Sequence, residues 1–223
     1  MHSRRALAAF SLLASLARPS GAAVKEPSEI TLGTADGGLI RADLYEGSGT
    51  AAVVLAHGKT FNKASWRSFA GFLAASGYDV LAVEFRGYGE SRPGKETAAL
   101  HEDVLAAVRW LRQRGAPAVA VVGSSMGGGA AARAALECDE GEIDRLVLLS
   151  PAPIAQPERL TLRKLYVASS EEPLLDEVQR QFERAPEPKR LMLLAGSAHG
   201  QHVFGTDQSG RLMTAVLEFL GQR

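Results

Sequence analysis

The chain has 223 residues, 46% of them hydrophobic, with 25 Lys and Arg against 25 Asp and Glu and a single cysteine. That length and apolar content suit one globular domain with a sizeable core and exclude a disordered tail. The lone Cys138 excludes a disulfide-stapled miniprotein and a cysteine-based zinc cluster, and a formal charge of zero without a Lys/Arg block gives no footprint for nucleic acid.

Residues 1–23 read as a secretory signal peptide. Arg4 and Arg5 precede a largely apolar run over 6–17, and Gly21-Ala22-Ala23 offers a small-x-small cleavage site. The run falls short of the roughly 20 residues that span a bilayer, so no stable membrane anchor is expected. Ser3-Arg4-Arg5 follows the twin-arginine signal loosely, which leaves the export route open between that system and ordinary secretion. Cleavage after Ala23 removes Arg4, Arg5 and Arg18 and no acidic residue, leaving a mildly acidic domain over 24–223, expected in the periplasm or outside the cell. In such an oxidising compartment the Cys138 thiol is best kept buried at a helix end.

The mature chain opens with two strands, 29–33 and 39–45, flanking the turn signal Ala35-Asp36-Gly37-Gly38, so an antiparallel hairpin is expected. Short apolar runs then recur at 51–56, 80–83, 118–122, 146–149, 165–168 and 191–195, as strands buried on both faces. Between them 66–76, 97–114, 126–136 and 173–184 are long enough for helices. Leu100, Val104, Ala107, Val108 and Leu111 fall on one helical stripe, which Gly115 and Pro117 end. A last helix over 208–220 closes the chain. Strands alternating with helices predict an α/β fold, a mostly parallel central sheet with helices on both faces.

Gly123-Ser124-Ser125-Met126-Gly127 is a G-x-S-x-G sequence placed where the strand 118–122 must turn sharply into the helix from Met126. Such a turn lifts the Ser125 hydroxyl above the carboxyl ends of the strands. A serine hydroxyl needs a base with a pKa near working pH and a carboxylate to orient that base. His199, in Gly196-Ser197-Ala198-His199-Gly200 after the last apolar strand, is the candidate base, ahead of His202. The turn after 165–168 carries Glu171 and Glu172, and a carboxylate there satisfies the chain order Ser, acid, His. Adjacent residues of an extended turn point opposite ways, so one of the two reaches the imidazole. Two backbone donors must face the oxyanion. Met126, following Ser125 at a helix start, offers one, and Lys59 in Ala56-His57-Gly58-Lys59 the other, with His57 a structural residue of that turn.

These landmarks together resemble the α/β-hydrolase family from about Ile30 to the C-terminus. They are Leu55-Ala56-His57-Gly58 for the oxyanion loop, the run from Glu84 to Ser91 for a D-x-R-G-x-G-x-S turn, 123–127 for the nucleophile elbow and Ala198-His199-Gly200 for the base. The resemblance implies an α/β-hydrolase fold and places the triad acid just before a proline, which matches Glu172 and leaves Glu171 as the alternative. Glutamate stands where aspartate is commoner both at 172 and at 84, the latter expected to change only packing. Between Ser150 and Leu162, where many relatives insert a helical lid, thirteen residues leave no room for a cap domain. The chain is thus similar to small lidless serine hydrolases of the dienelactone-hydrolase or esterase kind. Phe61, Trp66, Tyr88, Ile154 and Phe204 are expected to line an open cleft. The implied reaction is cleavage of a small carboxylic ester through an acyl-enzyme on Ser125, with His199 and Glu172 and without metal or organic cofactor. The same apparatus serves peptidases, thioesterases and acyltransferases, and a catalytically silent binding module could keep the fold. The sequence does not address oligomeric state.

Overall fold

The computed structural model describes residues 26–48 and 51–221. The signal segment read over 1–23 lies outside them. Among the described residues eight strands form one sheet: β1 (Ser28–Gly33), β2 (Leu39–Tyr45), β3 (Ala51–Ala56), β4 (Asp79–Val83), β5 (Ala118–Ser124), β6 (Arg145–Leu149), β7 (Arg163–Ser169) and β8 (Lys189–Leu194). Their order across the sheet is β1-β2-β4-β3-β5-β6-β7-β8. β1 and β2 pair antiparallel, as do β2 and β4, and every other neighbouring pair is parallel. The expected hairpin therefore joins the sheet through its second strand.

Five α-helices among the described residues cover the sheet: α1 (Arg67–Ala75), α2 (Leu100–Gln113), α3 (Met126–Glu137), α4 (Leu175–Arg184) and α5 (Ser209–Gly221). Alternation along each strand sends its side chains into two apolar layers. Val54 and Val121 pack with Val104, Val108, Ala131 and Val178 of α2, α3 and α4. Val53, Leu55 and Val122 pack with Phe69 and Leu73 of α1 and Val216 and Phe219 of α5. β8 departs from the expected two-sided burial. It is the sheet's last strand, and Leu193 is 40% exposed.

The β1–β2 turn is held by a buried cation. Arg86 donates to Asp103 on α2 and to Asp36 in the turn, each at 2.8 Å, and the Arg86 N–H also reaches Asp103. The Arg86 guanidinium, with the Thr34 hydroxyl behind it, holds the Asp36 carboxyl well below the usual carboxylate range. Glu84, which follows β4 and opens the turn that carries Arg86, is buried and accepts from the Lys63 N–H, tying that turn to the 3₁₀ segment Lys63–Trp66.

What places the site is register. Ala56 is level with Gly123, Ser124 with Leu149, Leu149 with Val167, and Ser169 with Leu194, so five parallel strands end along one line. β3 leads to β4 on one side and is flanked by β5 on the other, so the strand order reverses beside β3. Loops diverge at such a point and leave a crevice at the carboxyl ends of the strands.

Candidate active site

β5 continues through Ser124, two residues beyond its expected end, and Ser125 then adopts φ 49° and ψ −112° before α3 begins. A positive φ at a residue with a side chain costs on the order of 1–3 kcal/mol and persists only when its surroundings enforce it. Here the Ser125 N–H donates to Leu149 O at 2.9 Å, and Ser125 O accepts from Gly129 and from Ala152. The flanking glycines are required by space, since a Cβ on Gly123 would overlap the Gly127 carbonyl and one on Gly127 the Ala56 carbonyl. Helix and strands close to that distance only without side chains at 123 and 127.

His199 leaves the end of β8 and reaches back over this turn. Its Nε2 lies 2.9 Å from Ser125 Oγ and its Nδ1 2.6 Å from Glu172 Oε2. A carboxylate on Nδ1 fixes the proton there, so Nε2 is free to accept from the serine hydroxyl. The imidazole is 29% exposed, so the reacting end of the chain remains open to a ligand.

Glu172 is buried and Glu171 is exposed. The second Glu172 oxygen, Oε1, accepts from Ser150 Oγ at 2.7 Å and from the Ser169 N–H at 3.0 Å. With His199 Nδ1, three donors surround this buried carboxylate and leave it little freedom to turn. Ser150 adopts φ 43° and its hydroxyl oxygen also accepts from the Gly200 N–H at 3.1 Å, so one side chain joins the acid turn to the base loop. Ser150 belongs to no motif in the sequence. Its only signal there is a small polar residue at the carboxyl end of an apolar strand.

Met126 follows Ser125 at the start of α3, and the Tyr88 hydroxyl, 3.0 Å from Lys59 O and 3.6 Å from Met126 Sδ, links it to the loop after β3; neither the Lys59 nor the Met126 backbone N–H donates to another group among the described residues. The Lys59 side chain is exposed. His57 is fully buried. Its Nδ1 donates to Gly58 O at 2.9 Å, its Nε2 accepts from the Phe85 N–H, and burial pushes its pKa down, which keeps the ring neutral. His202 is exposed, with its ring 4.8 Å from that of Phe61, and it is His199 that hydrogen-bonds Ser125.

Two of the expected cleft residues are corrected. Trp66 has no exposed surface: with Phe69, Ala70 and Leu73 it continues the inward stripe of α1 at helical spacing, and its ring packs on Phe69 and Phe204. Ile154 is 6% exposed and packs into the layer of α2, α3 and α4. Apolar side chains next to a site bury themselves wherever a core layer is within reach. Phe61, Tyr88 and Phe204 are half-buried, with Phe204 leaning on the core through Trp66 and Phe69 and the Tyr88 hydroxyl donating to Lys59 O at 3.0 Å.

The β6–β7 connection contains one 3₁₀ turn, Pro157–Arg159, and no cap. It is strapped down. The Ala152 N–H donates to Ser125 O, Ile154 and Leu160 are buried, and Glu158 pairs with Arg184 of α4. No group of three or more His, Cys, Asp or Glu among the described residues could hold a metal ion, and no helix among them is long and apolar enough to cross a membrane. Cys138 caps the end of α3, half-buried, and burial raises its thiol pKa.

Solved structures share this architecture. The chain is similar to the esterase Pf2001 of Pyrococcus furiosus at 21% identity and a TM-score of 0.74, over 88% of this chain and 93% of that one. It is similar to a hydrolase of Thermoplasma acidophilum described as a predicted CIB-like hydrolase, at 19% identity and a TM-score of 0.72 over 87% and 97% of the two chains. An esterase of Exiguobacterium antarcticum matches at 16% identity and a TM-score of 0.70, over 87% of this chain and all of that one. A family model matches residues 53–218, which run from β3 past the His199 loop into α5, and by that match the chain belongs to the alpha/beta hydrolase family.

Proposed function

We propose that this protein is a serine hydrolase that cleaves small carboxylic esters through an acyl-enzyme on Ser125. The observation that carries the reading is the unbroken chain from Ser125 Oγ through His199 to the buried carboxylate of Glu172, at 2.9 and 2.6 Å. In the first half-reaction Ser125 Oγ attacks the ester carbonyl while His199 Nε2 takes its proton. The carbonyl oxygen becomes an oxyanion that the Lys59 and Met126 N–H groups receive. The carbon–oxygen bond to the alcohol then breaks, and Nε2 returns the proton to the departing oxygen. A water repeats the sequence on the acyl-enzyme and releases the acid and free Ser125. Glu172 orients the imidazole and stabilises the imidazolium in both half-reactions.

The strapped-down β6–β7 connection favours short acyl groups, because each CH₂ contributes about 0.8 kcal/mol only where a wall covers it. The esterases named above share the fold and support the class of reaction. Export belongs to the same proposal and rests on the order of basic, apolar and small residues over 1–23. The mature form should begin near Val24, which intact mass of the exported protein reads directly.

The decisive experiment is fluorophosphonate labelling and p-nitrophenyl acetate hydrolysis, with Ser125→Ala as the control. The wild type should label at Ser125 and turn over. The variant should lose labelling and about 10⁴-fold or more in rate while keeping its fold. Unchanged turnover in Ser125→Ala would remove the serine mechanism.

A further inference from the structure

We infer that Gln201 is the positioning residue of the oxyanion loop, locking the Lys59 N–H in place from the base loop; this rests on the serine-hydrolase reading above. The need for such a lock comes from Gly58. A glycine confers backbone freedom, and this one immediately precedes the residue whose N–H must be aimed. In a trans peptide the C=O and N–H point in opposite directions, so the Lys59 N–H is aimed only if the Gly58 carbonyl is held. It is held by His57 Nδ1 at 2.9 Å and by the Phe61 N–H at 3.0 Å. The peptide on the other side of Gly58 is held by Gln201, whose Oε1 accepts the Gly58 N–H at 2.7 Å. With both planes fixed, φ and ψ of Gly58 have no freedom left.

Gln201 suits this task. It is 4% exposed, and its Nε2 donates to Ser65 Oγ at 2.9 Å, so the carboxamide bridges the two ends of the loop that follows β3. Its orientation is dictated by its partners, because a peptide N–H can meet only the oxygen of the amide. Its own N–H donates to Ser124 Oγ at 2.9 Å, beside the nucleophile. His199, two residues earlier, thus shares a short loop with the side chain that holds the oxyanion donor. No other side chain among the described residues accepts the Gly58 N–H, which would otherwise be buried without a partner.

The test compares Gln201→Met, which matches the length without an acceptor, with Gln201→Glu, which keeps an oxygen at the Oε1 position. Rates are taken on p-nitrophenyl acetate per active site titrated with a fluorophosphonate. Misplacing a donor by about 1 Å can cost on the order of 10²-fold, so Gln201→Met should lose about 10- to 100-fold in kcat with KM within about 3-fold. The pH at half-maximal kcat/KM should stay where it is, because the His199–Glu172 pair is untouched. Gln201→Glu should recover most of kcat. Should Gln201→Met fail to fold, Gln201→Asn, too short by one methylene to reach Gly58, takes its place with the same expected split. Equal kcat per titrated site in wild type and Gln201→Met overturns the inference, as does a loss confined to the number of active sites or to KM, or a loss that Gln201→Glu does not relieve. A wild type that does not label or turn over overturns the serine-hydrolase reading itself, before any variant at 201 is measured.

Discussion

Gly200→Ala should separate two costs that the structure superimposes at one residue. Gly200 has φ 56°, where a Cβ costs about 1–2 kcal/mol, and that Cβ would also come within 3 Å of Ser124 Oγ. Its other near neighbours, Leu149 O at 3.5 Å and Ser124 Cβ at 3.7 Å, stand at ordinary contact distance, so the overlap is with one hydroxyl. Ser124 cannot swing away freely, because its Oγ accepts the Gln201 N–H. Overpacking of this kind costs about 1–3 kcal/mol. Together the terms predict a loss of about 2–5 kcal/mol for Gly200→Ala, a large part of the 5–15 kcal/mol typical of a folded domain. In a Ser124→Ala background only the backbone term remains, so the substitution should cost about 1–2 kcal/mol there. Urea unfolding of the four proteins gives the cycle, and kcat should fall with Gly200→Ala because displacing this residue pulls His199 from Ser125. The same cost in both backgrounds would refute the assignment of the overlap to Ser124, and a cost below about 1 kcal/mol in the Ser124→Ala background would refute the strain at 200.

Glu172→Gln should lower kcat/KM on p-nitrophenyl acetate by about 10³- to 10⁴-fold, whereas Glu171→Gln, exposed and away from the imidazole, should leave it within about 3-fold; the reverse ranking would move the acid to Glu171. Lys164 is fully buried with Nζ donating to Pro186 O and Pro188 O, and burial pushes its pKa down from 10.5 to about 8. Between those values the unfolded chain binds more protons, so this group's contribution to stability rises with pH, and Lys164→Met should gain most over the wild type at pH 7 and progressively less from 8 to 10.5; a pH-independent difference in urea unfolding would contradict the shift. Across p-nitrophenyl esters from acetyl to palmitoyl, kcat/KM should favour the short acyl groups with no jump at the micellar threshold, and a steady rise to long chains would point to a covered lipid site instead.

The elements were legible because apolar periodicity reports burial, and every expected strand and helix has a counterpart within a few residues. The 3₁₀ segments Lys63–Trp66, Pro157–Arg159 and Gly200–Gly205 went unread, since a single tight turn has no period to show. Trp66 stands at the start of the helix expected over 66–76, and its spacing from Phe69, Ala70 and Leu73 is the signal that it belongs to the inward face and not to the cleft. β8 reads as a buried run, but its apolar pattern does not tell that no further strand pairs with it. At the site, residues on motifs were readable and their supports were not. Ser150 meets Glu172 across 22 positions of sequence and Gln201 meets Gly58 across 143, and only the register of β3, β5, β6 and β7 makes them neighbours.

That register also explains why three consecutive residues can tie together the whole site. His199 contacts Ser125 and Glu172 through its ring, Gly200 reaches Ser150 through its N–H, and Gln201 reaches Ser124, Gly58 and Ser65 through its N–H and carboxamide. Apart from Ser65, which lies in the 3₁₀ segment Lys63–Trp66, the partners lie at the ends of β3, β5, β6 and β7, which the sheet holds level, so a loop leaving β8 can touch them without closing over the crevice. A shift of the base loop breaks several buried hydrogen bonds at once, each costing about 1–3 kcal/mol when its partner is left unsatisfied. The geometry of the proposed nucleophile, acid and oxyanion donor is therefore set before any ligand arrives, which is the form of preorganisation a site without a lid requires.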